Sequence, residues 1–289
     1  MEVAYGPGAL HKLDYYAPPA THKQQQALIV FVHGGGLALV RPLLLLRIQP
    51  SSLRTHSEDK ADHADLARTL LSLTGCAVAV PNYRLTSPDC PIRHPSHADD
   101  VLRSLHFLLS GSGPQPPPSA IYVLGHSCSA HILASIYLAS PFPLLTPSPQ
   151  LIALTRGIVL SEGIYDIDAL LRSFPNYKQW FIAPAFGDHD AYPDVNVTSY
   201  SLRPGADHIR WLIIHSKGDS LVDQLQSDTM FSHLSALASQ VPPGPRPMVQ
   251  KNFDEIQEEH NELLKGTVYP RIVADFVAQD IQSSTDFPS

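Results

Sequence analysis

One serine stands in a context typical of an enzyme nucleophile. Ser127 follows Gly125 by two positions in VLGHSCSAH, at the end of an apolar run that predicts a buried strand. A helix-forming segment begins directly after it, so the pattern is that of a G-x-S-x-G turn, which holds a serine Oγ clear of a sheet. Ser129 replaces the second glycine of that motif and adds a Cβ and a hydroxyl at a position of close approach. The alternative is that Ser127 is only a helix N-cap, a position that serine favours.

A run of glycines earlier in the chain would complete such a site. His33, Gly34, Gly35 and Gly36 end another apolar run, VFVHGGG. Glycines let the backbone approach a bound group closely and aim N–H groups at it. With the backbone N–H of Cys128, Gly34 and Gly35 are predicted to form an oxyanion hole for acyl transfer. An ordinary glycine-rich turn is the alternative, but a glycine loop upstream of the serine turn is the order that this chemistry requires.

A serine hydroxyl needs a histidine to take its proton and a carboxylate to orient that histidine. Where both lie downstream of the serine, the carboxylate comes first. Asp219 follows a strand candidate in RWLIIHSKGDSLVD and is preferred to Asp223, which falls in the next helix and could serve the helix dipole instead. His260, in EIQEEHNELL, follows the last strand candidate, whereas His233 lies inside an amphipathic segment. The predicted triad is therefore Ser127, Asp219 and His260.

The other histidines and the cysteines need no separate function. The chain has 15 histidines, and no H-E-x-x-H pattern or comparable cluster indicates a metal site. We interpret five of them as packing or hydrogen-bonding residues: His94, His97, His126, His131 and His215. The cysteines are odd in number, lack the spacing of a disulfide framework or zinc site and are interpreted as reduced: Cys76, Cys90 and Cys128. The sequence thus predicts neither a metal nor a cofactor.

The elements that must position these residues alternate along the chain. Short aliphatic runs alternate with helix-length segments, which is typical of a largely parallel sheet covered by helices on both faces. The strand candidates are ALIVFVH, CAVAVPNY, AIYVLGH, RGIVLSE, IRWLIIHS and PMVQKNF. Helical periodicity is expected over residues 62–73, 97–109, 127–138, 222–238 and 268–281. The predicted fold class is α/β.

Composition narrows the class of protein further. The 289 residues are 44% hydrophobic and 16% charged, enough apolar material for one large core, so residues 1–289 are expected to form a single domain. The formal charge of −7 and the scattered Lys and Arg residues make nucleic acid an unexpected partner. The start, MEVAYGPGAL, lacks the basic and apolar regions of a secretory signal, so we expect a cytosolic protein that does not bind membranes.

One tract departs from the alternating pattern. Residues 37–60, LALVRPLLLLRIQPSSLRTHSEDK, begin with an aliphatic cluster broken by Arg41, Pro42 and Arg47 and continue without helical or strand periodicity. The tract is too short and too interrupted to span a bilayer. A mobile lid over a site and an irregular surface insertion are equally weighted interpretations. Because the tract directly follows the glycines, we hypothesise that it disturbs the oxyanion loop or is absent from the working protein, as a retained intron would produce.

Together these motifs resemble a known family. HGGG, NYRLTSPDCPIRHPSHADDV, GHSCSA and HSKGDSLVD resemble the α/β-hydrolase group that contains hormone-sensitive-lipase-type esterases and kynurenine formamidases. The stretch SEGIYDIDALLRSFPNYKQWFIAPAFGD is similar to fungal kynurenine formamidases. The resemblance implies the α/β-hydrolase fold and a homodimer, and its triad and oxyanion loop fall on the residues named above. Leu37 stands where the family usually has a tryptophan.

The activity that this resemblance implies is hydrolysis of N-formyl-L-kynurenine to formate and L-kynurenine, in tryptophan breakdown towards NAD. A formyl group needs little space, whereas the arylamine leaving group needs a roomy, partly aromatic pocket. Tyr165, Tyr177, Trp180 and Phe186 are candidates to line it, although core packing accounts for Trp180 and Phe186 equally well. Two other hypotheses stay open: a broader carboxylesterase or deformylase, and a catalytically impaired hydrolase fold used for binding.

Overall fold

A mostly parallel sheet forms the centre of the protein. The computed structural model describes residues 1–18, 26–35, 58–111, 113–114, 116–241 and 247–285. Within these residues the strands are β1 (Glu2–Ala4), β2 (Lys12–Tyr16), β3 (Ala27–Val32), β4 (Ala77–Pro81), β5 (Ala120–His126), β6 (Thr155–Ser161), β7 (Arg210–Ile214) and β8 (Val249–Asn252). Their order in the sheet is β1-β2-β4-β3-β5-β6-β7-β8. β2 runs antiparallel to both of its neighbours, whereas the six strands β3 to β8 are parallel to one another.

Helices follow most of these strands. They are α1 (Ala64–Thr74), α2 (Ser96–Leu109), α3 (Cys128–Tyr137), α4 (Pro149–Leu154), α5 (Ile167–Ser173), α6 (Ala183–Phe186), α7 (Gln224–Gln240) and α8 (Val268–Thr285). A π-helical turn, Lys178–Ile182, precedes α6. Short 3-10 segments lie at Lys60–His63, Pro143–Leu145, Pro193–Val195, Val197–Ser199 and Glu262–Lys265. None of the described helices is long and apolar enough to cross a bilayer.

The sheet is buried on both faces, which explains the near-continuous apolar strands. In β5, Ile121 and Val123 belong to one hydrophobic cluster and Tyr122 and Leu124 to the other, because successive side chains point to opposite faces. The first cluster includes residues of α2, α3 and α7, and the second includes residues of α1 and α8. Helices therefore cover both faces, as the alternating pattern predicts.

The six predicted strands and five predicted helices are all present, with ends shifted by a few residues. The prediction missed β1 and β2, a short antiparallel pair at one edge of the sheet that carries charged residues such as Lys12 and Asp14. It also missed α4, α5 and α6, each of seven residues or fewer. Of the irregular tract, only residues 58–60 are described. Gly36 and residues 37–57 lie outside the described residues, and so do the lid and the surface insertion that we considered for this tract.

The topology brings the predicted site residues to one edge of the sheet. The carboxyl ends of parallel strands lie side by side, and ligands of such sheets bind at that edge. His33 directly follows β3, Ser127 follows β5 and Glu162 follows β6. Asp219 and His260 come from the loops after β7 and β8. Neighbouring strands thus deliver a glycine loop, a serine, carboxylates and a histidine to the same place.

Packing of α8 on the sheet supports this arrangement. The close approach depends on Gly157 of β6, where a Cβ would lie 2.6 Å from Cε1 of Phe276. The guanidinium of Arg210 also lies over the Phe276 ring, 4.4 Å from its centroid.

We expect Phe276→Ala to lower the free energy of unfolding by about 3–5 kcal/mol, since it leaves a cavity between helix and sheet. Leu225→Ala, at a position 54% exposed on α7, should change it by less than ~0.5 kcal/mol. Urea unfolding of both variants measures the difference, and equal effects would contradict this account of the packing.

Candidate active site

Ser127 lies on a sharp turn between β5 and α3. Its backbone has φ 58° and ψ −124°, a left-handed conformation that is strained for a residue with a side chain. The Ser127 N–H donates to the carbonyl oxygen of Ser161 at 2.8 Å, which ties the turn to the end of β6. Gly125 is required before it, because a Cβ there would lie 2.8 Å from the carbonyl oxygen of Ser129. This is the backbone expected of a nucleophile turn rather than of an ordinary N-cap, and Ser127 makes no side-chain capping bond.

Ser129, the departure from the glycine motif, joins two strand ends. Its Oγ lies 2.6 Å from the carbonyl oxygen of Val32 and 2.8 Å from that of His126, and it accepts the N–H of His126 at 2.8 Å. Val32 is the last residue of β3 and His126 the last of β5. The hydroxyl therefore ties the serine turn to the strand that carries the glycine loop.

The glycine loop lies directly against the serine. A Cβ on Gly34 would lie 3.2 Å from the Cβ of Ser127, and Gly35 has φ 118°, a conformation that side chains rarely adopt. The Tyr83 hydroxyl lies 3.0 Å from the carbonyl oxygen of His33 and 2.9 Å from that of Gly34. With both carbonyl groups directed at Tyr83, the loop backbone is held in place. Cys128 is the first residue of α3, so its N–H points out of the N-terminal end of the helix.

Asp219 and His260 form a buried pair. The Asp219 Oδ2 lies 2.8 Å from Nδ1 of His260, and both side chains are almost fully buried. The other oxygen, Oδ1, accepts the N–H groups of Leu221 and Val222 at 2.8 and 3.0 Å. Burial raises the pKa of Asp219, but its interactions with His260 and then with Glu162 outweigh burial and hold the pKa well below its ordinary value. The carboxylate is therefore ionised and can orient the imidazole.

The second-choice acid does not face the histidine. Asp223 precedes α7, and its Oδ2 accepts the hydroxyl of Ser173. His233, the histidine that the sequence disfavoured as the base, lies in α7, and its Nε2 is 2.7 Å from the carbonyl oxygen of Tyr200. Of the alternatives that the sequence left open, the structure thus brings Asp219, and not Asp223, against His260.

His126 links the serine turn to the histidine loop. Its ring centroid lies 4.8 Å from that of His260, and its Nε2 lies 3.2 Å from Oδ1 of Asn261. Burial lowers the pKa of His126 to about 3, so the ring is neutral. Within the described residues no hydrogen bond joins Ser127 Oγ to His260; catalytic hydrogen bonds of this kind commonly tighten only when substrate is bound.

Two buried carboxyl groups at the site were not identified from the sequence. Glu162 accepts the N–H of Ser216 at 2.7 Å, and one of its carboxyl oxygens lies within 4.8 Å of one of Asp219. Glu58 has its Oε2 3.4 Å from Nε2 of His63, and the same oxygen would lie 3.1 Å from a Cβ on Gly34. Burial raises the pKa of Glu58, but the neighbouring histidines, His63 foremost, lower it to about 2. A charged residue directly after a buried strand was a usable signal for Glu162, whereas the irregular tract offered none for Glu58.

In the described parts of the chain, one group of acidic and histidine side chains is close enough to hold a metal ion. Its members are Glu162, Asp219 and His260, whose ligand atoms lie within 4.8 Å of one another. The hydrogen bond between Asp219 Oδ2 and His260 Nδ1 accounts for the proximity of two of them.

The four aromatic residues proposed for the leaving-group pocket differ in exposure. Tyr165 is fully buried in the first hydrophobic cluster, as a packing residue would be. Tyr177 and Trp180 are partly exposed and contact each other at 5.2 Å between ring centroids, and the Tyr177 hydroxyl donates to the carbonyl oxygen of Leu221 at 2.9 Å. Phe186 packs against the rings of His94 and His131. Tyr177 is therefore the aromatic residue best connected to the Asp219 loop.

Comparison with known proteins places this arrangement in context. The chain is 27% identical over 260 residues to the kynurenine formamidase avaC of Aspergillus versicolor, covering 81% of this chain and 82% of that protein. It is 26% identical over 232 residues to a kynurenine formamidase of Eremothecium gossypii, covering 77% and 85%. No family model matches the chain. The resemblance to fungal kynurenine formamidases is thereby confirmed.

Solved structures with a similar fold are esterases. Inhibited esterase B from Lactobacillus rhamnosis superposes with a TM-score of 0.70 at 15% identity, covering 99% of this chain and 86% of that one. A thermostable esterase from Pseudomonas putida gives 0.60 at 18% identity, covering 88% and 71%. The fold is the predicted α/β-hydrolase fold, and the similarity to the two kynurenine formamidases supports a hydrolase.

The bonds of Ser129 generate a stability prediction. Ser129→Ala removes a buried hydroxyl that bridges β3 and β5, so we expect the free energy of unfolding to fall by about 1–3 kcal/mol. Ser129→Gly restores the glycine motif, but we expect it to lower the free energy of unfolding at least as much, because glycine also raises the conformational entropy of the unfolded chain. Urea or thermal unfolding measures both, and a stabilised glycine variant would show that Ser129 is a defect of the turn.

Proposed function

We propose that this chain, which has the α/β-hydrolase fold, is a serine hydrolase that cleaves the formamide of N-formyl-L-kynurenine to formate and L-kynurenine. The observation that carries the proposal is the buried Asp219–His260 pair beside the left-handed turn at Ser127. The substrate is carried over from the fungal relatives, which are named for it. From the resemblance and the sequence we extend the proposal to tryptophan breakdown, a cytosolic location and a homodimer.

The chemistry would use each group in turn. His260 takes the proton of Ser127 Oγ as that oxygen attacks the formyl carbon, and Asp219 stabilises the imidazolium that forms. The N–H groups of Gly34, Gly35 and Cys128 donate to the oxyanion of the tetrahedral intermediate. His260 then protonates the departing arylamine, leaving a formyl ester on the serine. Water activated by the same histidine releases formate and restores the serine.

Two alternatives each have an observation in their favour. A broader carboxylesterase or deformylase would use the same residues, and the similar solved structures are esterases. A catalytically impaired binding protein is favoured by Glu58, because a carboxylate beside Gly34 repels the negative charge that develops on the oxyanion. The three functions differ in what the purified protein turns over.

The deciding experiment compares N-formylkynurenine with a short-chain p-nitrophenyl ester. We expect turnover of the formamide, with Ser127→Ala lowering kcat by up to about 10⁶-fold, as removal of a triad serine does elsewhere. Ester cleavage alone would favour the broader esterase. No turnover of either substrate would contradict both enzyme functions, and full activity of Ser127→Ala would contradict the mechanism.

The choice of acid gives a second prediction with a matched control. Asp219→Asn keeps the shape of the side chain but removes the charge that orients His260, so we expect kcat to fall by about 10⁴-fold. Asp223→Asn is the control, because Asp223 bonds to Ser173 and not to His260, and its kcat should stay near that of the unmodified chain. Steady-state kinetics of the two variants measure this, and the reverse order would assign the triad to Asp223.

A further inference from the structure

Glu162 occupies a position between the serine turn and the triad acid. It is the first residue after β6, and its backbone has φ 51°, the second left-handed non-glycine residue among those described. Its N–H donates to the carbonyl oxygen of Ile214 at the end of β7, just as the Ser127 N–H donates to Ser161 at the end of β6. Because β7 also leads to Asp219, the turn aims the Glu162 side chain at the triad carboxylate.

The surroundings of the two carboxyl groups are unequal. Both side chains are fully buried. Asp219 accepts hydrogen bonds from His260 and from two backbone N–H groups. Glu162 accepts one, from Ser216 to Oε1, and no donor among the described residues reaches its Oε2. One carboxyl oxygen of Glu162 nevertheless lies within 4.8 Å of a carboxyl oxygen of Asp219. Asp219 accepts more hydrogen bonds than Glu162, so the single negative charge of the pair belongs on Asp219.

Two adjacent buried carboxylates cannot both be ionised, because each disfavours the charge of the other. A proton placed between them satisfies the otherwise unpartnered Oε2 and gives Asp219 a further donor. Burial foremost, and then Asp219, raise the pKa of Glu162 to about 11. The same contact lowers the pKa of Asp219.

The other titratable groups around Glu162 do not offer it a charge. Nδ1 of His215 lies 3.7 Å from Oε2, beyond hydrogen-bond distance, and lies 2.9 Å from the Ser227 hydroxyl instead. Burial lowers the pKa of His215, so the ring is neutral. Tyr165 and Tyr269 complete the surroundings, and burial raises the pKa of both phenols. His260 is bonded to Asp219 through Nδ1.

We propose that Glu162 is a neutral carboxylic acid in the working protein and donates a hydrogen bond from Oε2 to Asp219, so that it positions the triad carboxylate against His260. Glu162 is a positioning residue, since it acts through Asp219. The catalytic consequence rests on the proposed function, but the location of the proton does not.

The first test measures stability against pH in Glu162→Gln, which is neutral at every pH and keeps a donor and an acceptor. Unfolded Glu162 ionises above its ordinary pKa of 4.5, whereas in the folded state it keeps its proton up to about 11. A raised pKa gives stability that is present at low pH and is lost as the pH rises through this window. Between pH 6 and 9 we therefore expect the unfolding equilibrium constant of the unmodified chain to increase about tenfold per pH unit relative to Glu162→Gln. A ratio independent of pH would overturn the proposal.

The second test needs no variant to fold. Infrared spectra of the unmodified chain at pH 8 should contain the carbonyl stretch of a buried protonated carboxyl group, shifted in D₂O, since ordinary carboxyl groups are ionised there. The absence of that band would overturn the proposal, whatever the enzyme hydrolyses.

The third test separates positioning from structural support. Glu162→Leu cannot donate to Asp219, so we expect kcat to fall by up to about 10²-fold with KM unchanged, because a small displacement of a catalytic group has this effect. Glu162→Gln should recover most of that loss, since its amide N–H replaces the acid proton. Equal kcat in the two variants would overturn the positioning role. If Ser127→Ala also kept full activity, the proposed function itself would fail, while the first two tests would still decide the protonation of Glu162.

Discussion

The left-handed backbone at Ser127 is the constraint on which the rest of the site depends. A residue in such a conformation costs about 1–3 kcal/mol and persists only where its surroundings over-determine it. Here Gly125 permits α3 to approach β5 closely, the Ser127 N–H is bonded to β6, and the Ser129 hydroxyl bonds to the end of β3. The strain is thus held by three neighbouring strands. The same hydrogen bonds hold the ends of these strands together, so the contacts that maintain the turn also bring the candidate site residues close to one another.

The two sides of this turn hold their polar groups differently. On the β3 side, Tyr83 fixes the glycine loop through backbone carbonyl groups, and Asn82 lies 3.1 Å from His33 while bonding to Asp59. On the β7 and β8 side, the buried Asp219 carboxylate bonds to His260. In the proposed function, the first arrangement would hold backbone N–H groups in place for a developing negative charge, and the second would hold the charge and the proton that the reaction moves. An acyl-transfer site requires both backbone donors in fixed positions and a group that can transfer a proton.

Glu58 is the feature that fits this chemistry least well. Its carboxylate is buried between His63 and Gly34, where an anion opposes the stabilisation of an oxyanion. Glu58 belongs to the irregular tract of residues 37–60, so the part of the sequence that departs from the alternating pattern also contributes this unfavourable charge. By contrast Ser129, the other departure, makes bonds that support the turn.

The sequence by itself determined the parallel strands of the sheet, its longer helices, the candidate serine and histidine, and two candidates for the acid. The parallel strands were predictable because they are short, nearly continuous apolar runs of a sheet that is buried on both faces. The longer helices were predictable from the 3.6-residue period of their buried side chains, and the candidate site residues because each follows a strand candidate in the order that the proposed chemistry requires. Only the tertiary structure decided that Asp219 and not Asp223 faces His260, that Ser129 bridges two strands, and that Glu162 lies beside Asp219. These contacts join loops that follow different strands, and neither periodicity nor spacing along the chain records which side chains meet across a folded edge.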